Sequence, residues 1–189
     1  MAFSEAKVAQ MCAYLLKLAG GTMAYLKLMK LLYLADRQSM ARFARSMSGD
    51  THYSMKNGPV LSQTLNLMQG AAWINHMEEG WDAWISPASN YDVSLKRESF
   101  QRDDLDELSN VELEILNSIY EAFGKMEKWD LVNYTHDRLP EWKETNGAIP
   151  INAADIFIAL GKTGEELEAY IARYNEEVAL DQTIKSLAV

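Results

Sequence analysis

Apolar residues recur every three to four positions at Val8, Cys12, Leu15 and Ala19. Ser4 stands ahead of them as a cap and Gly20-Gly21 behind as a stop, which predicts a first helix. From Thr22 to about Ser46 a second helix is predicted, with Leu26, Leu28, Met29, Leu31, Leu32, Tyr33 and Leu34 leaving little polar surface. That density suits a central helix with neighbours on most sides. A rotation of about 100° per residue groups Lys27, Lys30, Arg37 and Gln38 as its solvated stripe and sets Asp36 opposite them. Thr51 to Met55 reads as a short strand. Asn57-Gly58-Pro59 then breaks the chain before a third helix holding Val60, Leu61, Thr64, Leu65 and Met68, which fades after Gly70.

Trp81 to Ile85 and the alternating Tyr91 to Lys96 flank Ser86-Pro87-Ala88-Ser89-Asn90 and read as a hairpin with a five-residue loop. The acidic stretch Asp103 to Glu107 is a surface connector. Ser109 with Glu112 makes a capping box for a helix buried through Ile115, Leu116, Ile119 and Phe123. A shorter helix from about Trp129 to Asp137 stops at Leu139-Pro140, Asn152 opens another, and Thr163 with Glu166 repeats the capping-box spacing for the last. The fold class that follows is mainly α (α+β): a compact helical domain with a small antiparallel β-sheet inserted in the first half. No repeat period and no Gly/Ser linker divides the chain, so residues 1–189 read as a single domain.

Composition narrows the class. At 48% hydrophobic and 24% charged the chain is that of a globular protein, and one cysteine makes no internal disulfide. A reducing, cytoplasmic home is expected. The longest apolar run, Met11 to Leu16, is six residues against the roughly 20 needed to span a bilayer, and Glu5 interrupts any signal-peptide pattern, so neither membrane insertion nor that export route is expected. The formal net charge of −9 argues against a nucleic-acid partner. It is unevenly distributed: residues 1–63 hold eight Lys and Arg against three Asp and Glu. The stripe of Lys27, Lys30 and Arg37 is either ordinary solvated surface or a face for an acidic partner.

The inventory for chemistry is thin. His52, His76, His136 and Cys12 are too dispersed for a metal-ligand spacing, and no HExxH, CxxC, phosphate-cradling loop or GxSxG elbow occurs. No catalytic residue, metal or cofactor is expected, and Cys12 reads as packing. Asp36 is the most informative residue. Among Leu28, Met29 and Leu32 an unpaired carboxylate would carry a large desolvation cost, so it needs a partner or a raised pKa. The N–H groups of the Asn57-Gly58-Pro59 turn or the Tyr53 hydroxyl would make it a structural polar anchor; pairing with His136 would instead make a catalytic couple for a small hydrolase or nucleotide-acting enzyme. Of the tryptophans, Trp73, Trp81, Trp84, Trp129 and Trp142, most belong in a core. Trp81 and Trp84 on one short hairpin and Trp142 after Pro140 do not all point inward easily, and exposed aromatics serve as protein-binding anchors.

The segment Lys27-Leu-Met-Lys-Leu-Leu-Tyr-Leu-Ala-Asp36-Arg37, then Gly49-Asp50 and Tyr53-Ser-Met-Lys-Asn-Gly-Pro-Val60, resembles the Panacea domain, also called the SocA-like antitoxin domain. Leu108-Ser-Asn-Val-Glu-Leu-Glu-Ile-Leu116, Trp129-Asp-Leu-Val-Asn-Tyr-Thr-His136 and Leu139-Pro-Glu-Trp142 are similar to its later blocks. The resemblance implies the antitoxin half of a toxin–antitoxin pair of bacteria or phage, which neutralises a cognate toxin by direct binding and has no chemistry of its own. Delivery of that toxin to a protease is the alternative role, and homodimerisation stays open. An appended DNA-binding domain, carried by many such proteins, is not expected in 189 residues. The partner contacts implied by the matching blocks, or chosen as surface aromatics, are Tyr53, Asn57, Pro59, Trp84, His136 and Trp142.

Overall fold

The computed structural model describes residues 2–70, 80–97 and 99–187; Trp73 and His76 lie outside them. In chain order the elements are α1 (Glu5–Leu18), β1 (Thr22–Ala24), α2 (Tyr25–Phe43), β2 (His52–Met55), β3 (Gly58–Leu61), α3 (Ser62–Met68), α4 (Trp81–Trp84), β4 (Ile85–Ser89), β5 (Asp92–Leu95), α5 (Asn110–Phe123), α6 (Lys128–Arg138), β6 (Ile149–Ile151), α7 (Ala153–Ala159) and α8 (Gly164–Leu187). The described chain is mainly helical, with two three-stranded antiparallel sheets ordered β1-β5-β4 and β3-β2-β6.

The apolar density of α2 is explained by its place. It packs against α1, α5, α6, α7 and β3, and Leu28, Leu31, Leu32 and Met40 are fully buried beside Leu15 and Leu16 of α1 and Ile115 and Leu116 of α5. Burying a leucine or methionine stabilises by about 1.5–3 kcal/mol, so this seam dominates the core. Ser4 caps α1 by accepting the Lys7 N–H, and Ser109 and Glu112 form the predicted capping box on α5. Asn152 and Asp155 do the same for α7.

Three local expectations change. Thr22–Ala24, predicted as the start of α2, is strand β1, because Thr22 and Met23 pair with Ser94 and Val93 of β5. A three-residue helical preference is too weak to compete with a ladder. The break at Asn57-Gly58-Pro59 is a hairpin turn rather than a helix entry: Met55 pairs with Gly58 and His52 with Leu61, and the helix begins only at Ser62. That helix is capped from outside, since Asp50 accepts the N–H groups of Gln63 and Thr64 and the Thr64 hydroxyl. In the third case the β4–β5 hairpin turns on two residues, Asn90 and Tyr91, both at positive φ (52° and 68°). Trp81–Trp84 is a helical turn leading into it. The β structure also reaches beyond the first half, because β6 pairs with β2, Pro150 standing opposite Tyr53. A proline without an N–H is tolerated there because β6 is an edge strand.

Candidate functional site

The rigid element of the site is built from Asp36. Helix α2 ends at Ala44, held at φ 53° with its N–H on the Met40 carbonyl, a left-handed conformation that costs a residue with a Cβ about 1–2 kcal/mol. The reversal returns residues 46–48 over Asp36. The carboxylate then accepts the N–H groups of Met47 (2.6 Å) and Ser48 (2.8 Å), the hydroxyls of Ser46 and Ser48, and the His52 Nε2 (2.7 Å). Burial alone would raise its pKa; the hydrogen bond and charge of His52, the Ser48 N–H and the Ser46 hydroxyl outweigh burial and hold it below the usual carboxylate range. The partners are thus the 46–52 segment. Neither the Asn57-Gly58-Pro59 turn nor Tyr53 supplies them, and no Asp36–His136 couple forms. The small residues Ser46, Ser48 and Gly49 permit this close wrapping, the Gly49 N–H being held by the Ser46 hydroxyl and the Asp50 N–H by that of Ser48.

A second network ties the segment after α6 to α2 and β2. Glu141 is buried and accepts the Arg37 Nε at 2.6 Å and the Tyr33 hydroxyl at 3.2 Å. Trp142 Nε1 donates to the Met55 carbonyl at 3.0 Å, and the Lys143 N–H to the Ser54 hydroxyl at 3.0 Å. The Trp142 ring lies flat on His136, with centroids 3.9 Å apart and planes at 7°. The Thr-His and Pro-x-Trp elements of the sequence therefore meet as one stack against the β2–β3 hairpin. His136 Nε2 is buried without a hydrogen-bond partner. Burial and the nearby Lys30 ammonium lower its pKa below the ordinary histidine value.

Lys30 departs most from expectation. It is fully buried rather than on a solvated stripe, and its Nζ donates to the Pro59 carbonyl at 2.7 Å. Burial pushes its pKa down to about 7. The other stripe members are also committed inward: Lys27 to the Gly124 carbonyl, Arg37 to Glu141, and Gln38 to Ser118. The helical wheel grouped these residues correctly, but α5, α6 and the hairpin cover that face.

Three hollows surround the hairpin turn. One of about 600 Å³ is lined by Lys56, Asn57, His136, Trp142 and Glu144–Asn146. A second, of about 200 Å³, runs over Met29, Lys30, Met55 and Gly58. The third, of about 230 Å³, lies between Tyr25, Tyr91, Lys128 and Trp129. Asn57 lines all three. Tyr53 shares the half-buried face of β2 with Met55. Pro59 and Trp84, expected as contacts, are buried: Pro59 faces inward in β3, and Trp84 packs edge-on against Phe100 at 5.2 Å. Tyr91 and Trp129, not singled out by the sequence reading, are the exposed aromatics of this region. Their signal in the sequence was the hairpin turn and the polar first turn of α6, neither of which buries a ring.

Cys12 is fully buried and its thiol pKa is raised by burial, the state of an inert packing residue. Among the described residues no group of three or more His, Cys, Asp and Glu is placed to hold a metal ion. None of the described helices is long and apolar enough to cross a membrane.

The fold and this face define a helical domain that holds one hairpin turn rigidly between aromatic and basic side chains. The model of the antitoxin SocA-like, Panacea domain matches residues 28–143, more than half of the chain, and the protein belongs to that family. The matched span contains the Asp36 network, the Asn57 hairpin and the His136–Trp142 stack. No curated protein and no solved structure matches the chain.

Proposed function

We propose that the protein is a cytoplasmic antitoxin that neutralises a cognate protein toxin by binding it directly, with the Asn57 hairpin and the His136–Trp142 stack at the contact. The single observation that carries this reading is the convergence of three hollows on one turn, in a chain of an antitoxin-like family. Rigidity supports it as well. Trp142, fixed by its hydrogen bond to the Met55 carbonyl and its stack on His136, loses little entropy on binding, so more of the contact energy reaches affinity. Tyr53, Asn57, His136 and Trp142 are its contact residues; buried Pro59 supports the hairpin from below, its carbonyl held by Lys30, whereas Trp84 packs against Phe100 and lines a separate hollow with Gln10, Arg97 and Asp103. The protein works by covering a surface rather than by transforming a substrate.

Co-expression with the product of the neighbouring gene tests this. That product should arrest growth alone and be harmless beside this protein, and the two should co-purify. A neighbour that is harmless alone, or equally toxic in both settings, removes the reading. Pulse-chase labelling of the toxin separates masking, which leaves its half-life unchanged, from delivery to a protease, which shortens it.

A further inference from the structure

Charge and exposed aromatic surface are concentrated at the same turn. The charged residues lining the three hollows are Lys30, Lys56 and Lys128 against Glu144 alone, on a chain of net charge −9. Tyr91, 75% exposed, and Trp129, 54% exposed, flank the third hollow, of about 230 Å³, and the Lys128 ammonium lies 5.8 Å from the Trp129 ring centre. Tyr91 sits in a left-handed conformation, at φ 68°, with its carbonyl held by the Tyr25 N–H at 2.9 Å. Its ring leans on that of Tyr25, with centroids 6.2 Å apart, and leaves its other face open to solvent. On the far side of Asn57, the buried His136 Nε2 has unfilled hydrogen-bonding capacity beside Trp142.

We propose that this face receives an acidic peptide segment of the partner, with an apolar side chain seated between Tyr91 and Trp129 and carboxylates over Lys56 and Lys128. The proposal rests on the partner-binding reading and adds the chemistry of what is bound. Local positive charge on an acidic protein selects a partner segment that the rest of the surface repels. A phosphate backbone, charged along its whole length, would meet that repulsion everywhere else. The two exposed lysines set orientation and approach rate, and the aromatic pair supplies the anchor.

A random 12-residue peptide library displayed on phage, panned on the full chain, tests this. Enriched clones should carry Asp or Glu next to an aromatic or aliphatic residue, and should bind the double variant Lys56→Glu/Lys128→Glu at least ten-fold more weakly. Both lysines are exposed, so the variant folds, as a melt matching the parent would verify. The most enriched peptide should then shift the fluorine signals of Trp129 and Trp142 in 5-fluorotryptophan-labelled protein, and leave those of buried Trp81 and Trp84 in place. No enrichment, enrichment without acidic bias, equal binding by the double variant, or shifts elsewhere each overturn the proposal. If the double variant still neutralises the toxin in co-expression, this face is not the contact while the antitoxin reading stands. If peptides select as expected but no neutralisation occurs, the face stands and the antitoxin reading falls.

Discussion

His52 Nε2 lies 2.7 Å from Asp36 Oδ2 in a site where both side chains are buried, and the Tyr33 ring stands edge-on to the imidazole at 5.6 Å. The first residue of β2 is thereby fixed to the middle of α2, and with it the hairpin that carries Asn57. Removing the carboxylate strands His52 and the Met47 and Ser48 N–H groups. Asp36→Ala should therefore destabilise the fold by about 3–5 kcal/mol, the cost typical of breaking a buried pair, read from urea denaturation at pH 7. A variant as stable as the parent would show that the network is dispensable.

The same carboxylate sets an acid limit. Its folded pKa is depressed, and so is that of Glu112, where burial is outweighed by Lys7 and Ser109. Stability from a depressed carboxylate is complete above the unfolded pKa, about 3.9 for Asp and 4.3 for Glu, and is lost as pH falls through the folded value. The contribution of these two carboxylates should accordingly be intact at pH 5 and above, and urea midpoints should drop steeply below about pH 4.

Lys30 works in the other direction. With a folded pKa of about 7 against about 10.4 unfolded, the native state resists protonation and stability rises with pH through that window. Lys30→Met should stabilise the protein at pH 6 by about 2 kcal/mol or more. Each pH unit between the folded and unfolded pKa values corresponds to about 1.4 kcal/mol of relief, and the total outweighs about 1–3 kcal/mol for the Pro59 carbonyl left unpaired. Near pH 10 the gain should largely vanish, because the native lysine is already neutral and the unfolded one, with a pKa of about 10.4, binds its proton only weakly at that pH. Melts of parent and variant at the two pH values decide this.

Gly58 permits the close approach of hairpin and helices. At φ 97° a Cβ would lie 2.7 Å from Thr135 Oγ1 and 2.8 Å from Lys30 Nζ. Both atoms are already committed, to the Val132 and Pro59 carbonyls. Gly58→Ala should lower stability by about 2 kcal/mol or more through strain and overlap together, measurable as a reduced melting temperature.

Because Lys30 contributes to the low pKa of His136, Lys30→Met should raise the His136 titration midpoint in NMR spectra. No upward movement would mean that burial alone sets it.

Where signals were local, the sequence was legible: the Ser4 cap, the Ser109–Glu112 box, the long apolar run of α2 and the β2 strand follow from side chains within a few residues of one another. That Asp36 needs a partner is also legible in the sequence, because desolvation of a carboxylate is a property of the residue. Which groups answered it was a tertiary decision. His52 and residues 46–48 reach it only because Ala44 reverses the chain, and the pairing of β6 with β2 joins segments about 100 residues apart, beyond any periodicity. Lys30 shows the limit most clearly. A helical wheel gives the direction of a side chain around its own axis and is blind to what packs there, so only the assembled hairpin and helices turned an apparent solvent-facing lysine into a buried one beside the Asn57 turn.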